Sequence, residues 1–411
     1  NASGVYEPAV RERMIEKLGR GTAERSTVQG LTPHARCAVE LAVGEALRAG
    51  STCEIKDALA FLSVTISRLV CGSHVGMYRH FPRAYGKSYF YAERHPDLFD
   101  RDSAVSKTIA LGAEKLRRAI LLGGYDAVLC THVMAATMLT RLIEADPFFS
   151  LPTAFLATDY TCSPGVDETD LSVYFTPAPA LDGAFARGLL QNKPRIPAGI
   201  PVKEAFSAPA DIAQAKRHFG IPAEHRHVVL MCGSMGCGPM RRLAHSLARV
   251  LLPEEELTVV CGTNQRLLRD LRKSFRKAAN IHVRGFEKNV PWLLDIADLY
   301  LTKPGGISTT EAAQRGVPMV LIDAVAGCES YNMEYFVGQD AAANGKGVYE
   351  TVAVAKALLR DPARLAVMAK NAKGAVPTHA AKTIFDTLQR LVDAGNAAEG
   401  QDDFLQTPAD A

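Results

Sequence analysis

Along the 411 residues, short apolar runs alternate with helical stretches in two successive series. In the first, "YDAVLCTH" (125–132), "LPTAFLATDY" (151–160) and "VYFTPA" (173–178) are bounded by turn residues and read as buried strands, with "CEIKDAL" as an earlier one. Helices are predicted over 33–49, 58–71 and 102–122. The second series opens at "HVVLMCGSMGCG" (227–238) and runs through "LTVVCGTN" (257–264), "IHVRGF" (281–286), "ADLYLT" (297–302) and "PMVLID" (318–323) to a last short strand in "GKGVYE" (345–350). Helices follow each run, and a final one is predicted near 379–394. Near-continuous apolar strands separated by helices specify a parallel sheet covered on both faces. The Pro- and Ala-rich "RIPAGIPVKEAFSAPAD" (195–211) interrupts the alternation and reads as a linker. The expected architecture is therefore α/β, with two doubly wound domains facing a cleft. Residues 1–29 form an N-terminal extension, 30–207 and 208–378 the two domains, 379–395 a C-terminal helix, and 396–411 a polar, disordered tail.

Composition narrows the class. Apolar residues make up 47% and charged residues 22%, which suits a globular protein, and no run approaches the ~18–20 apolar residues that span a bilayer. Nine cysteines, an odd number scattered without paired spacing, indicate a reducing compartment and no zinc site. With no signal-peptide core at the N-terminus, the expected location is cytoplasmic. The net charge of +3 is too small, and no basic stripe long enough, for nucleic acid. Basic residues do interleave with aromatics in "MYRHFPRAYGKSYFY" (77–91), where Tyr78, Arg79, Phe81, Arg83 and Tyr85 suit an anionic membrane surface as well as an ordinary packed one.

The chemistry gathers at strand ends. In the second series every glycine cluster falls where a strand stops: Gly233, Gly236 and Gly238, then Gly262, Gly285, and Gly305 with Gly306. In "LTKPGGISTTEAAQRG" a strand gives way to two glycines and then a helix from about Thr309 to Arg315, with Ser308, Thr309 and Thr310 as caps. Free N–H groups and the positive end of the helix dipole favour a phosphate at such a turn. Glu311, in the first helical turn, suits either the two hydroxyls of a ribose or the helix dipole. Glu329 and Asn332 begin another helix, where they reach a sugar or act as caps.

These residues carry a resemblance. "TKPGGISTTEAAQRGVPMVLIDAVAGCESYNMEYFV" resembles the donor-site signature of the monogalactosyldiacylglycerol synthase and processive diacylglycerol glucosyltransferase family, glycosyltransferase family 28. "GYDAVLCTHVMAATML", "LPTAFLATDY", "RIPAGIPVKEAF" and "MYRHFPRAYGKSYF" resemble its first-domain blocks, so the likeness spans roughly residues 32–390. It implies two Rossmann-like domains in the GT-B arrangement, working at a membrane surface on the inner face. The expected donor is UDP-glucose or UDP-galactose, held in the second domain. By motif, Gly233 and Ser234 face the phosphates, Phe286 lies near the base, Gly305, Gly306 and Ser308 hold the diphosphate, Glu311 the ribose, and Glu329 and Asn332 the sugar. The first domain would bind diacylglycerol or a similar lipid. The family inverts the anomeric centre without a metal, and no cofactor is expected beyond the UDP-sugar.

Direct displacement needs a base. His34 opens the helix that matches the family's first loop, but the glycine run expected before it is missing and "GTAERSTVQ" makes a poor strand, a departure that would impair catalysis. Asp159 and His132, both at strand ends, are rival bases. Two other readings stand beside a diacylglycerol hexosyltransferase: a UDP-N-acetylglucosamine transferase acting on an isoprenoid-linked precursor, and a UDP-sugar-binding protein or epimerase with no transferase activity.

Overall fold

The computed structural model describes residues 50–68, 81–206, 208–322 and 327–405. His34, Tyr78 and Arg79 lie outside them.

Among the described residues ten strands form two parallel sheets. β1 (Val128–Cys130), β2 (Thr153–Leu156), β3 (Val173–Phe175) and β4 (Arg195–Ile196) lie side by side in chain order. β5 (Arg226–Met231), β6 (Glu255–Val260), β7 (Ile281–Arg284), β8 (Leu299–Thr302), β9 (Met319–Leu321) and β10 (Ala342–Asn344) form the second sheet in the order β10-β9-β8-β5-β6-β7. That order reverses between β5 and β8. The reversal is the topological switch point, and ligands of such sheets bind beyond the carboxyl ends of the strands beside it.

Side-chain alternation explains the layering. In the second sheet Val228, Leu230, Leu257, Val259, Leu299 and Leu301 face one way, into a core closed by the helices Met240–Ala248 and Gly347–Leu359. Val229, Met231, Tyr300, Met319 and Leu321 face the other way, and their core runs on through Tyr160, Ala198 and Ile200 to Ala154, Leu156, Val173 and Phe175 of the first sheet. The far face of the first sheet, with Cys130, Phe155 and Tyr174, is covered by Ala104–Ala110, Ala113–Gly123 and Val133–Ala145. One hydrophobic cluster thus passes from one domain into the other.

Several expectations change. Cys53–Lys56 is irregular, not a strand, and the stretch expected as one helix over 102–122 breaks into two. "GKGVYE" starts the helix Gly347–Leu359, the last strand lying just before it at Ala342–Asn344. The C-terminal helix runs Ala380–Leu405, through the stretch whose composition suggests a loose tail. The Pro-rich connector is tied down: it contributes β4, Ala198, Ile200, Val202 and Phe206 to buried structure. Arg315 donates to Ala205 O (2.6 Å) and Ala208 O (2.8 Å), while its partner Asp295, 3.2 Å away, accepts from Ala210 N (2.9 Å). Both members of this ion pair are almost fully enclosed, where loss of one partner would strand the other's charge.

Candidate active site

At the switch point the second sheet's edge is built from backbone. Gly233, Gly236, Gly238 and Gly262 all have positive φ, a region that other residues enter at a cost. A Cβ on Gly236 would collide with Cys261 O, and one on Gly262 with Ser234 O. Thr263 N donates to Ser234 O at 2.8 Å and Asn264 Nδ2 to Gly236 O at 3.2 Å, while Asn264 Oδ1 caps the helix Gln265–Ser274 by accepting from Leu267 N. The glycines therefore lock the loops after β5 and β6 together. Phe286, past the end of β7, leaves its ring largely exposed (62%).

After β8 the chain turns sharply, with Gly305 N bonded to Lys303 O at 2.8 Å. The helix begins earlier than expected, as Gly306–Arg315, and Gly305 caps it without a side-chain bond. Ser308, Thr309 and Thr310 are inside the helix and not caps. Thr309 Oγ1 donates back to Gly305 O (2.9 Å) and Thr310 Oγ1 to Gly306 O (2.6 Å). The first-turn N–H groups thus have no side-chain cap, which leaves the helix end suited to an anion. Gly306 has a second duty: a Cβ there would collide with Thr158 O of the first domain. Its bareness lets the two domains meet.

Lys303 lies across this turn. Its Nζ is 3.9 Å from Glu329 Oε2, with both side chains mostly enclosed, and its Cε passes 3.6 Å from the point where Gly238 would carry a Cβ. The separation is at the outer limit of an ion pair, and an arriving diphosphate would compete with Glu329 for the ammonium.

The first domain brings Asp159, from the loop after β2, against the same turn. Asp159 Oδ1 is 3.2 Å from the Cβ position of Gly306 and accepts from Asn332 Nδ2 at 2.7 Å. Desolvation pushes its carboxyl up to about 6; the Asn332 hydrogen bond opposes this, and the nearby Glu329 adds to it. Next to it, Tyr160 OH pairs with Thr310 Oγ1 at 2.7 Å, and its ring stacks on Tyr335 with centroids 4.4 Å apart.

The helix Pro82–Arg94 closes the other side. Tyr85, Tyr89 and Glu93 share one face at i, i+4 and i+8. Tyr89's ring sits on Gly327, whose φ is +115°, and Glu93 accepts from Tyr331 OH at 2.7 Å. Burial pushes the Tyr85 phenol up to about 12, and the nearby Cys328 thiol and the Asp159 and Glu329 carboxyls push it the same way. Tyr85 is thus half-buried beside Asp159 and Glu329. Phe81 and Tyr91 are exposed, and Arg83 falls in the helix's first turn.

Two further residues change their reading. Glu311 sits in the second helical turn, not the first, where desolvation pushes its carboxyl up to about 7 and Lys203 of the connector pulls it back. His132 caps the helix Val133–Ala145, its Nδ1 accepting from Met134 N at 3.2 Å. Lys303 and Asn264 are not singled out by the sequence, and Tyr89 reads there only as part of the basic aromatic stretch 77–91. Lys303 has a signal, a cation directly before Pro-Gly-Gly; Tyr89 has none, because only the fold carries it to Gly327. Among the described residues no group of three or more His, Cys, Asp or Glu is arranged to hold a metal ion.

Residues 34–202 match the family described as monogalactosyldiacylglycerol (MGDG) synthase. The processive diacylglycerol beta-glucosyltransferase of Staphylococcus carnosus is 24% identical over 300 residues, 72% of this chain and 73% of that protein. The protein of the same description from Bacillus mycoides is 30% identical over 192 residues, 46% of this chain and 49% of that one. Over these stretches the chain is similar to diacylglycerol glycosyltransferases. Among solved structures, MurG of Acinetobacter baumannii superposes with a TM-score of 0.52 at 18% identity, covering 70% of this chain and 80% of that one. The UDP-GlcNAc 2-epimerase of Neisseria meningitidis, bound to UDP-GlcNAc, gives 0.50 at 14% identity over 70% and 81%. At such identities the likeness is one of fold: two Rossmann-like domains facing each other, the GT-B arrangement.

Proposed function

We propose that the protein is a UDP-sugar-dependent glycosyltransferase that moves a hexose, from UDP-glucose or UDP-galactose, to diacylglycerol or a similar lipid at a membrane surface. The observation that carries this reading is the meeting of Asp159 with the Lys303–Gly306 turn, where the carboxyl edges of the two sheets touch. The diphosphate lies at the start of the helix Gly306–Arg315, with Lys303 and the first-turn amides taking up the charge that grows on it as it leaves. The lipid hydroxyl attacks the anomeric carbon from the face opposite the diphosphate. The new C–O bond forms as the bond to the diphosphate oxygen breaks, the configuration inverts, and the hydroxyl proton passes to Asp159. A carboxyl near 6 is ionised at neutral pH yet basic enough to accept that proton. In this reading the positive charge comes from the protein and no metal takes part, so activity survives a chelator. Glu311 reaches the ribose, and Phe286 offers its exposed ring to the uracil.

The acceptor rests on the relatives' described activity together with Tyr91, which stands exposed on the helix Pro82–Arg94 away from the face that meets the site, and Phe81, exposed at its N-cap. Among the described residues no helix is long and apolar enough to cross a membrane; peripheral attachment at the inner face would bring a lipid hydroxyl to the cleft. The test is UDP release from UDP-glucose and UDP-galactose, with and without diacylglycerol-containing liposomes. Lipid-dependent release with a glycolipid product is expected. Release without lipid points to a hydrolase, conversion of one UDP-sugar into another without net UDP release points to an epimerase, and release only with an isoprenoid-linked acceptor moves the chain to the second transferase class.

A further inference from the structure

Asn332 lies in the second turn of the helix Cys328–Gly338 and is fully buried. Its Oδ1 accepts from Tyr160 N at 2.6 Å; its Nδ2 donates to Asp159 Oδ1 at 2.7 Å and to Pro304 O at 2.9 Å. The partners dictate the amide's orientation: a backbone N–H can only donate, a backbone carbonyl can only accept, and swapping oxygen for nitrogen would oppose like groups at all three contacts. Both Nδ2 protons are thus used, and the side chain has no surface left to offer. The motif assigns Asn332 to the sugar; the fold takes it out of reach of one.

What Asn332 does instead follows from its partners. Tyr160 and Asp159 belong to the first domain, Pro304 to the turn that enters Gly305 and Gly306. A single amide ties together the candidate base, the loop that carries it and the candidate diphosphate turn. We propose that Asn332 is a positioning residue, which holds the Asp159 carboxylate in one orientation beside the Pro304–Gly306 turn. This rests on Asp159 being the base.

Other groups also face Asp159. Glu329 and Cys328 come from the same helix as Asn332, Tyr85 and Tyr89 from Pro82–Arg94, and Tyr160 follows in the chain. Lys303 acts at one remove, through Glu329. Of these, the thiol of Cys328 and the amide of Asn332 are the hydrogen-bonding neighbours that hold the carboxyl down, while burial and Glu329 push it up. Removing the Asn332 amide leaves burial and Glu329 with less opposition, so the base protonates at higher pH.

The experiment measures kcat and KM for the UDP-sugar against pH in wild type, Asn332→Ser and Asn332→Asp, together with Asp159→Asn. Positioning predicts that Asn332→Ser lowers kcat by about ten- to a hundredfold, in line with small misplacements of reacting groups. KM for the donor should stay near wild type, and the acid limb of the kcat profile should move to higher pH. Asn332→Asp, which sets a second carboxylate against Asp159, should move it further. A raised donor KM with an unmoved acid limb would mean that Asn332 touches the sugar, and overturns the proposal. Should Asn332→Asp fail to fold, Asn332→Ser still decides, since its shorter hydroxyl leaves no new charge buried. If Asp159→Asn turns over at the wild-type rate, the assignment of the base fails; if it is inactive and Asn332→Ser keeps the wild-type acid limb, only the positioning role fails.

Discussion

The two sheets present their carboxyl edges in different materials. The second domain builds its edge from backbone: glycines at positive φ, loops locked carbonyl to Cα, and a helix start that needs no side-chain cap. The first domain builds its edge from side chains, Asp159 and Tyr160 on one loop and Tyr85, Tyr89 and Glu93 on one helix face. A backbone edge suits a ligand common to many enzymes, because phosphates and ribose meet amides and dipoles in the same way everywhere. A side-chain edge is where an acceptor is distinguished and a proton moved. Binding should thus fail with the glycines and turnover with the side chains.

The largest effect expected from breaking that division is at the interlocked loops. Gly236→Ala and Gly262→Ala force a Cβ into positive φ and into a carbonyl. Strain of about 1–3 kcal/mol plus the collision should lower Tm by several degrees and abolish the UDP-induced thermal shift. Lys303→Met comes next: UDP affinity should fall about tenfold by titration calorimetry, and Tm should fall as well, because the enclosed Glu329 carboxylate loses its cationic neighbour.

Glu311 sharpens the comparison, being a side chain on the backbone-built edge. Its carboxyl sits near 7 because burial disfavours the charge, and only the ionised form accepts from both ribose hydroxyls. UDP affinity should therefore rise as pH climbs through about 7, and Glu311→Gln should flatten that dependence. The sign for stability is opposite. The folded value exceeds the unfolded one, so ionising Glu311 costs stability between about 4.5 and 7, and Glu311→Gln should gain slightly at the upper end. The smallest effect belongs to Phe286→Ala, a few-fold loss of UDP affinity if uracil packs on its exposed ring.

The same division decides what the sequence can reveal. Strand ends followed by glycines are local signals, so the second domain's first five strands and its switch-point loops are legible from residue order alone, whereas its last strand is not. Even there, "PGG" points only to ligand approach, whereas Gly306 also makes room for Thr158 O. The first domain's edge is half legible. Asp159 stands out as a strand-end carboxylate, but nothing local tells it from His132; the distinction is that one reaches Pro304 through Asn332 and the other caps a helix. Tyr85 resembles a membrane residue because aromatic and basic residues alternate along 77–91, and a linear pattern does not tell which face of a helix turns inward. The connector reads as loose because Pro and Ala are common in linkers, while its anchor, the Arg315–Asp295 pair, lies far along the chain.

The central claim, that catalysis arises where the two edges meet, is tested most directly by comparing wild type with Asp159→Asn in two assays: UDP binding, and lipid-dependent UDP release with diacylglycerol liposomes. The account predicts that Asp159→Asn binds UDP as wild type does and releases it from the UDP-sugar at least about a hundredfold more slowly. Equal release by both proteins would contradict it.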